Sequence, residues 1–184
     1  MIKSFLDGDI MLDKFVPDKY YQSIYDINYK DLKKYGIKCL IFGVSNTIVP
    51  ETEYKPSKKL KDLFEDLKNM GFRIILISNN TKKYVEPFKE ILCVDSSYLS
   101  FKPLKKKYKK ILKLYDLSTN EVACIGSKLL FDIFGANRMD LTSIYVNPIS
   151  TDEYAVTKLN RKLENLVVNE LTKKDLFKRG RYYE

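Results

Sequence analysis

The feature that most constrains the fold of this chain is a series of short apolar runs that alternate with amphipathic segments. Four runs read as strands buried on both faces: Ile37 to Phe42, Phe72 to Ile77, Glu121 to Ile125 and Leu141 to Val146. A shorter strand is predicted near Ser97 to Phe101. Because helical segments separate these runs, the order predicts an α/β fold, a Rossmann-like three-layer structure with a mainly parallel sheet and helices on both faces.

The helices are predicted from apolar periodicity and end signals. The first runs from Ser57, as N-cap, to Met70, and a second from Thr81 to about Leu92. Another precedes Met139. A basic helix begins at Pro103, with an inner face formed by Leu104, Tyr108, Ile111, Leu112 and Tyr115. A long amphipathic helix is predicted from Asp152 to about Lys173, with a stripe formed by Val156, Leu159, Leu163, Leu166, Val167 and Leu171.

A length of 184 residues predicts one domain, 1–184, with an N-terminal segment (1–35), a sheet core (36–150) and a C-terminal helix with a basic tail (151–184). No apolar run reaches the roughly 18 residues that cross a bilayer, so a cytoplasmic location is expected, with peripheral membrane contact left open. The chain has no histidine and three widely spaced cysteines. These counts exclude Ser-His and Cys-His catalysis and disfavour a disulfide scaffold or a zinc site.

Polar residues follow the ends of the predicted strands. They form four clusters: Gly43 to Thr47, Ser78 to Asn80, Lys102, and Gly126 to Asp132. In an open parallel sheet, ligands bind beyond the carboxyl ends of the strands. Each cluster alone is also explained by ordinary turn chemistry, but their common position predicts a site at one edge of the sheet.

In order and spacing these clusters resemble the four motifs of the haloacid dehalogenase (HAD) superfamily. The likeness is to its small capless phosphatases of class IIIA, the YqeG type, which are similar to phosphatidylglycerophosphate phosphatases. It runs from about Met11 to Lys174 and includes Ser78-Asn79-Asn80, Lys102-Pro103, Ile125-Gly126, Asp132, Gly135-Ala136-Asn137-Arg138 and Asn160-Arg161. The resemblance implies a HAD fold without a large cap domain.

The resemblance also implies a mechanism that this chain cannot carry out as written. In the family, one aspartate attacks phosphorus, a second acts as acid and base, and a third helps to hold Mg2+. The corresponding positions here are Gly43, Ser45 and Ser127, and none has a carboxylate. Asp132 survives as a residual metal ligand, expected to be insufficient alone. We therefore expect no cofactor, and Mg2+ only if the protein is active.

The phosphate-binding positions of the family, which need no acidic residue, still have suitable side chains in this chain. By resemblance, Thr47, Ser78, Asn79 and Lys102 are expected to bind phosphate oxygens, in a pocket more positive than in relatives that retain the aspartates. The alternative is that Thr47, Ser78 and Asn79 only complete local turns and caps.

The net charge of +9 is concentrated in two places. Seven lysines lie between Lys102 and Lys113, and the C-terminal part is basic from Lys173 to Arg181. Such a field attracts anionic lipid, an acidic protein partner or nucleic acid, although a lysine-rich helix face is also simply a solvated surface. Nucleic acid is not favoured, because no nucleic-acid-binding motif accompanies the charge.

Three functions remain open. The first is an inactive pseudophosphatase that binds a phosphate-bearing ligand, an anionic lipid or a protein partner. The second is an active Mg2+-dependent phosphatase acting on phosphatidylglycerophosphate or a related phosphomonoester through another nucleophile. The third is a basic protein associated with nucleic acid, whose affinity would fall steeply with salt.

Overall fold

The computed structural model of the chain describes residues 12–150 and 155–184, without the side chains of 155–159 and 161. Six strands form one sheet: β1 (Lys19–Tyr21), β2 (Cys39–Gly43), β3 (Arg73–Ile77), β4 (Asp95–Ser97), β5 (Val122–Gly126) and β6 (Thr142–Val146). Their order is β1-β6-β5-β2-β3-β4, and all neighbours are parallel. The predicted α/β class with a mainly parallel sheet is confirmed.

Helices cover both faces of this sheet. They are α1 (Tyr29–Lys34), α2 (Lys58–Asn69), α3 (Lys82–Leu92), α4 (Lys105–Leu114), α5 (Phe134–Asn137) and α6 (Ala155–Lys173). The Ser57 hydroxyl accepts a hydrogen bond of 3.2 Å from the Leu60 amide, so the predicted N-cap of α2 is confirmed. Thr81 occupies the N-cap position of α3, but its side chain makes no capping hydrogen bond.

The core follows from the alternation of side chains along each strand. Leu40 and Phe42 point to the layer of α1, α2 and α3, whereas Cys39 and Ile41 point to α4 and α5. A third cluster, under α6, packs β1 and β6 against a π-helical turn, Leu129–Ile133. Only α2 and its connecting loops lie between β2 and β3, which leaves no place there for a large cap.

Several local predictions are wrong. β4 ends at Ser97 instead of continuing to Phe101, and α4 begins at Lys105. The helix predicted before Met139 is the π-helical turn followed by the short α5. Leu104 and Leu166, both assigned to inner faces, are exposed. Val167 and Leu171 are buried as predicted, while the side chains of Val156 and Leu159, and the predicted helix start at Asp152, lie outside the described residues.

Two features of the N-terminal part were not predicted. β1 lies in the sheet beside β6, although residues 1–35 were assigned to a segment outside the sheet core. The C-terminal tail returns to β1, where the amides and carbonyls of Tyr20 and Tyr183 exchange two hydrogen bonds of 2.8 and 3.0 Å. Among the described residues, no helix combines the length and hydrophobicity needed to cross a bilayer. The predicted domain limits stay a prediction.

Candidate functional site

The structure brings the four polar clusters together at the carboxyl edge of the sheet. β2 lies between β3 and β5, so Gly43, which ends β2, lies beside Ser78 and Ser127, which follow the two neighbouring strands. A cavity of about 300 Å³ opens there, and its lining includes Ser45, Ser78, Asn79, Lys102, Lys128 and Asp132. The co-location that the sequence predicted is therefore present, while the chemical roles of these residues stay predictions.

Lys102 and Asp132 form a buried ion pair at the base of the cavity. Their nitrogen and oxygen lie 2.5 Å apart, and the two residues are 9% and 2% exposed. The Lys102 ammonium also donates to the Ile77 carbonyl at 3.3 Å. The second oxygen of Asp132 accepts a 3.1 Å hydrogen bond from the Lys128 amide. The charge of Lys102 is therefore matched within the protein, which makes the cavity less positive than its lysine suggested.

Thr47 and Ser127 connect the first and fourth clusters. Their hydroxyl oxygens share a hydrogen bond of 3.1 Å, and the Ser127 amide donates to the Thr47 hydroxyl at 3.2 Å. Both residues are buried. The hydroxyl predicted to bind phosphate is thus bonded to the residue at the position of the third aspartate.

Neighbouring side chains approach two glycines of the site closely. A Cβ atom on Gly126 would lie 2.2 Å from the Cβ of Asp132, a distance that no side chain tolerates. A Cβ atom on Gly43 would lie 2.9 Å from the Thr47 hydroxyl oxygen and 3.4 Å from a carboxylate oxygen of Asp132. A residue larger than glycine at position 43 therefore needs the Thr47 side chain to rotate.

Ser45 is bound by the loop after β3 and by α3. The Asn80 amide group donates to the Ser45 hydroxyl at 3.0 Å, and that hydroxyl lies 3.4 Å from the Tyr84 hydroxyl. A serine hydroxyl bonded to an amide group and to a phenol is a poor replacement for a catalytic acid or base.

Ser78 and Asn79 make the local bonds that the alternative interpretation requires. The Asn80 amide donates to the Ser78 hydroxyl at 3.1 Å, which closes a turn. The Asn79 side chain accepts from the Lys102 amide at 2.7 Å and donates to the Lys102 carbonyl at 3.2 Å. Asn79 thereby fixes the backbone from which Lys102 reaches inward.

The donor set does not fit Mg2+. This ion prefers several hard oxygen ligands in near-octahedral geometry. Within the described residues, no three His, Cys, Asp or Glu side chains converge on a possible metal position. Asp132 is the single carboxylate among the predicted site positions, and its two oxygens are bound by Lys102 and the Lys128 amide.

Three charged residues near the cavity were missed by sequence reasoning. The Lys128 ammonium lies 3.9 Å from a carboxylate oxygen of Glu51, which comes from an irregular loop without a sequence signal. Glu164, on α6, accepts a 3.2 Å hydrogen bond from the Leu129 amide. Burial raises the pKa of Glu164 to about 7. An acid on the apolar stripe of α6 was the available signal for Glu164.

Comparisons with known proteins agree with this architecture. The family model "haloacid dehalogenase-like hydrolase" matches residues 13–140. The chain is 30% identical over 165 residues to the "Probable phosphatase YqeG" of Bacillus subtilis (strain 168), an alignment that covers 89% of this chain and 96% of that protein.

Two solved structures show the same fold. An uncharacterized protein from Listeria monocytogenes serotype 4b superposes with a TM-score of 0.52 at 17% identity, covering 71% of this chain and 98% of that one. The cobalt-bound deoxy-D-mannose-octulosonate 8-phosphate phosphatase YrbI from Haemophilus influenzae gives a TM-score of 0.50 at 10% identity, covering 81% and 97%. With the family match over most of the sequence, these findings establish that the chain belongs to the haloacid dehalogenase-like hydrolase family.

Proposed function

We propose that this protein binds a phosphate-bearing ligand at the carboxyl edge of its sheet and does not hydrolyse it. The observation that carries the proposal is the set of side chains at the three positions where the family mechanism needs aspartates. Gly43 has no side chain to attack phosphorus, and the hydroxyls of Ser45 and Ser127 do not titrate near neutral pH. Asp132 remains, but Lys102 and the Lys128 amide hold it.

The cavity supports ligand binding by its shape and donors. A volume of about 300 Å³ lies at the lower end of the range for small-molecule sites. Hydroxyl and amide groups of Ser45, Ser78 and Asn80 and the ammonium of Lys128 lie along its wall. Such groups suit phosphate oxygens. Because these groups already bond one another, a ligand gains only the difference between new and existing hydrogen bonds, and we expect modest affinity.

The decisive experiment measures phosphate release in the presence of Mg2+ from an aryl phosphate and from phosphatidylglycerophosphate. The parent protein is compared with the triple variant Gly43→Asp, Ser45→Asp and Ser127→Asp. No turnover by the parent and measurable turnover by the triple variant is the expected result. Because an aspartate at position 43 requires the Thr47 side chain to move, the thermal midpoint of the variant is measured beside its activity.

Turnover by the parent protein that scales with its concentration would refute the inactive assignment and favour the second candidate, an active phosphatase. The long alignment with a probable phosphatase keeps that candidate open. Ligand binding is tested separately with inorganic phosphate and an aryl phosphate by calorimetry. Lys128→Gln should weaken binding, whereas Lys113→Gln, at the far end of α4, should leave binding unchanged.

A further inference from the structure

The loop between β4 and α4 presents apolar side chains to solvent beside the cavity. Leu99, Phe101 and Leu104 are 42%, 63% and 55% exposed. The residues between them point inward, since Ser100 and Lys102 are buried. We call Leu99, Phe101 and Leu104 the apolar loop face. Three large exposed apolar side chains within six consecutive residues of one loop favour an interaction surface over isolated surface residues.

The backbone holds this arrangement firmly and at a cost in strain. The Leu99 amide donates to the Asn80 carbonyl at 2.9 Å, and the Ser100 amide donates to the Ser78 carbonyl at 2.9 Å. Leu99 and Phe101 both have left-handed backbone conformations, with φ of 43° and 52°. Large side chains rarely adopt this conformation. Strain that the surrounding hydrogen bonds maintain is commonly found where a loop has a function.

Lysines open the two helices that adjoin the apolar loop face. α4 starts directly after Leu104 and has lysines at its first three positions, Lys105 to Lys107. α3 opens with Lys82 and Lys83, shortly after the Asn80 carbonyl that binds the loop. Neither helix has an acidic residue in its first turn, although the helix dipole favours acids there. Among the described residues, no carboxylate forms an ion pair with a lysine of α4.

We propose that the apolar loop face and the lysines around it bind the surface of an anionic lipid bilayer. Apolar side chains on a rigid loop would enter the interfacial region, while lysines at the openings of α3 and α4 would contact acidic head groups. A second copy of the chain fits less well, because a symmetric contact would bring the two lysine sets together. Nucleic acid also fits less well, since aliphatic Leu99 and Leu104 offer bases no ring for stacking.

Binding at the apolar loop face does not depend on a ligand in the cavity. It would, however, fix how the protein is oriented relative to the bilayer. Lys102 lies between Phe101 and Leu104 and points toward Asp132, so the cavity opens beside the apolar loop face. A bilayer bound there would face the carboxyl edge of the sheet.

The test measures co-sedimentation of the full chain with vesicles of phosphatidylcholine, with and without phosphatidylserine. Phosphatidylserine carries no phosphomonoester, so binding to it reports the surface and not the proposed phosphate site. We expect binding to the anionic vesicles at low salt that weakens as salt rises. Replacing Leu99, Phe101 and Leu104 with alanine should lower affinity at least about tenfold. A similar loss is expected for Lys82→Gln with Lys83→Gln and Lys106→Gln, the exposed lysines at the openings of α3 and α4.

α4 itself supplies the matched control. Lys113 and the exposed Leu114 place a lysine and an apolar side chain at the other end of the helix, about 15 Å from the apolar loop face. Lys113→Gln with Leu114→Ala should change affinity by less than about twofold if the lipid contact is confined to the loop end. All variants alter exposed side chains, so their thermal midpoints verify that folding is intact.

A spectroscopic readout locates the contact. The chain contains no tryptophan, so Phe101→Trp introduces a single indole. Its emission should shift to the blue when anionic vesicles are added. Failure to bind anionic vesicles at low salt would overturn the proposal, as would an unshifted tryptophan in bound protein. A blue shift that depends on protein concentration without vesicles would assign the surface to a second copy. Equal loss of binding in the control variant would overturn the assignment of the lipid contact to the apolar loop face.

Discussion

Two buried carboxylates, Asp132 and Glu164, are held in different ways on neighbouring elements. Asp132 receives the Lys102 ammonium at 2.5 Å and the Lys128 amide at 3.1 Å. Glu164 accepts a hydrogen bond from the next amide along the chain, that of Leu129, at 3.2 Å, and the partly exposed Arg179 guanidinium lies 3.8 Å away. Burial is the main cause that raises the pKa of Glu164 to about 7. A backbone amide alone does not offset the burial of a charge, whereas a close ammonium supplies the compensation.

The comparison gives Lys102 a structural explanation that does not depend on catalysis. A lysine that neutralises a buried aspartate is needed for folding even when the other acids of the mechanism are missing. The presence of Lys102 in this chain is therefore weak evidence for phosphatase activity. The same reasoning applies to the presence of Asp132.

The largest effect is expected when the ammonium is removed. Lys102→Met leaves Asp132 buried without its cation, which should lower the free energy of unfolding by about 3–5 kcal/mol. Urea unfolding with an unchanged denaturant dependence measures this loss. Lys106→Met, an exposed lysine on α4, is the control and should change stability by less than about 0.5 kcal/mol.

A second variant separates charge from packing in this prediction. Adding Asp132→Asn to Lys102→Met removes the buried charge while an amide oxygen still accepts from the Lys128 amide. Most of the lost stability should return. If the double variant is as unstable as Lys102→Met alone, packing of the lysine stem, and not charge compensation, explains the pair.

An intermediate effect is expected for Glu164, and it depends on pH. Because the pKa of Glu164 in the folded protein is about 7, above the ordinary 4.5, the folded state keeps a proton that the unfolded state loses between these values. The free energy of unfolding should therefore fall as pH rises from about 4.5 to above about 7. Arg179 and Lys128 oppose this raised pKa, and Asp132 adds to it.

Glu164→Gln removes the titrating group and keeps an oxygen for the Leu129 amide. Across that pH range the variant should gain about 3–3.5 kcal/mol relative to the parent, at about 1.4 kcal/mol per pKa unit. Urea unfolding at several pH values gives the difference. Glu170→Gln, an ion-paired position on the same helix, serves as control; an equal gain there would contradict the assignment to Glu164.

The smallest effect is expected for Arg179. Its guanidinium lowers the pKa of Glu164, so Arg179→Gln should move the pH at which stability falls to a higher value. The change in unfolding free energy should stay below about 1 kcal/mol, because the side chain is partly exposed. Arg181→Gln, which removes an exposed ion pair with Asp175 in the same tail, should leave that pH unchanged.

The central strands of the sheet were predictable because a strand buried on both faces is a nearly continuous apolar run in the sequence. β2, β3, β5 and β6 are nearly continuous apolar runs, and helices must separate parallel strands. β1 and β4 escaped correct assignment because each has three residues, too few for a pattern. The apolar residues after β4 were interpreted as its continuation. Left-handed conformations at Leu99 and Phe101 turn those side chains to solvent instead, and no apolar pattern encodes this.

The site was predictable in position but not in its internal bonding. Strand ends of a parallel sheet meet at one edge, so the grouping of Gly43, Ser78 and Ser127 followed from topology. Which polar group binds which depends on side-chain geometry across long separations, as for Lys102 and Asp132, 30 residues apart. Glu51 was missed because its loop has no periodic pattern.

The pairing of Tyr20 with Tyr183 has a consequence for association between molecules. β1 is the outermost of the described strands on its side of the sheet, and an open strand edge offers unpaired amides and carbonyls to other chains. The tail occupies part of that edge, and the Tyr183 hydroxyl fastens it further with a 2.9 Å hydrogen bond to the Pro17 carbonyl. Pairing with Tyr183 therefore covers backbone groups of β1 that another chain would otherwise pair with, so replacing Tyr183 is expected to promote edge-to-edge association without altering the cavity.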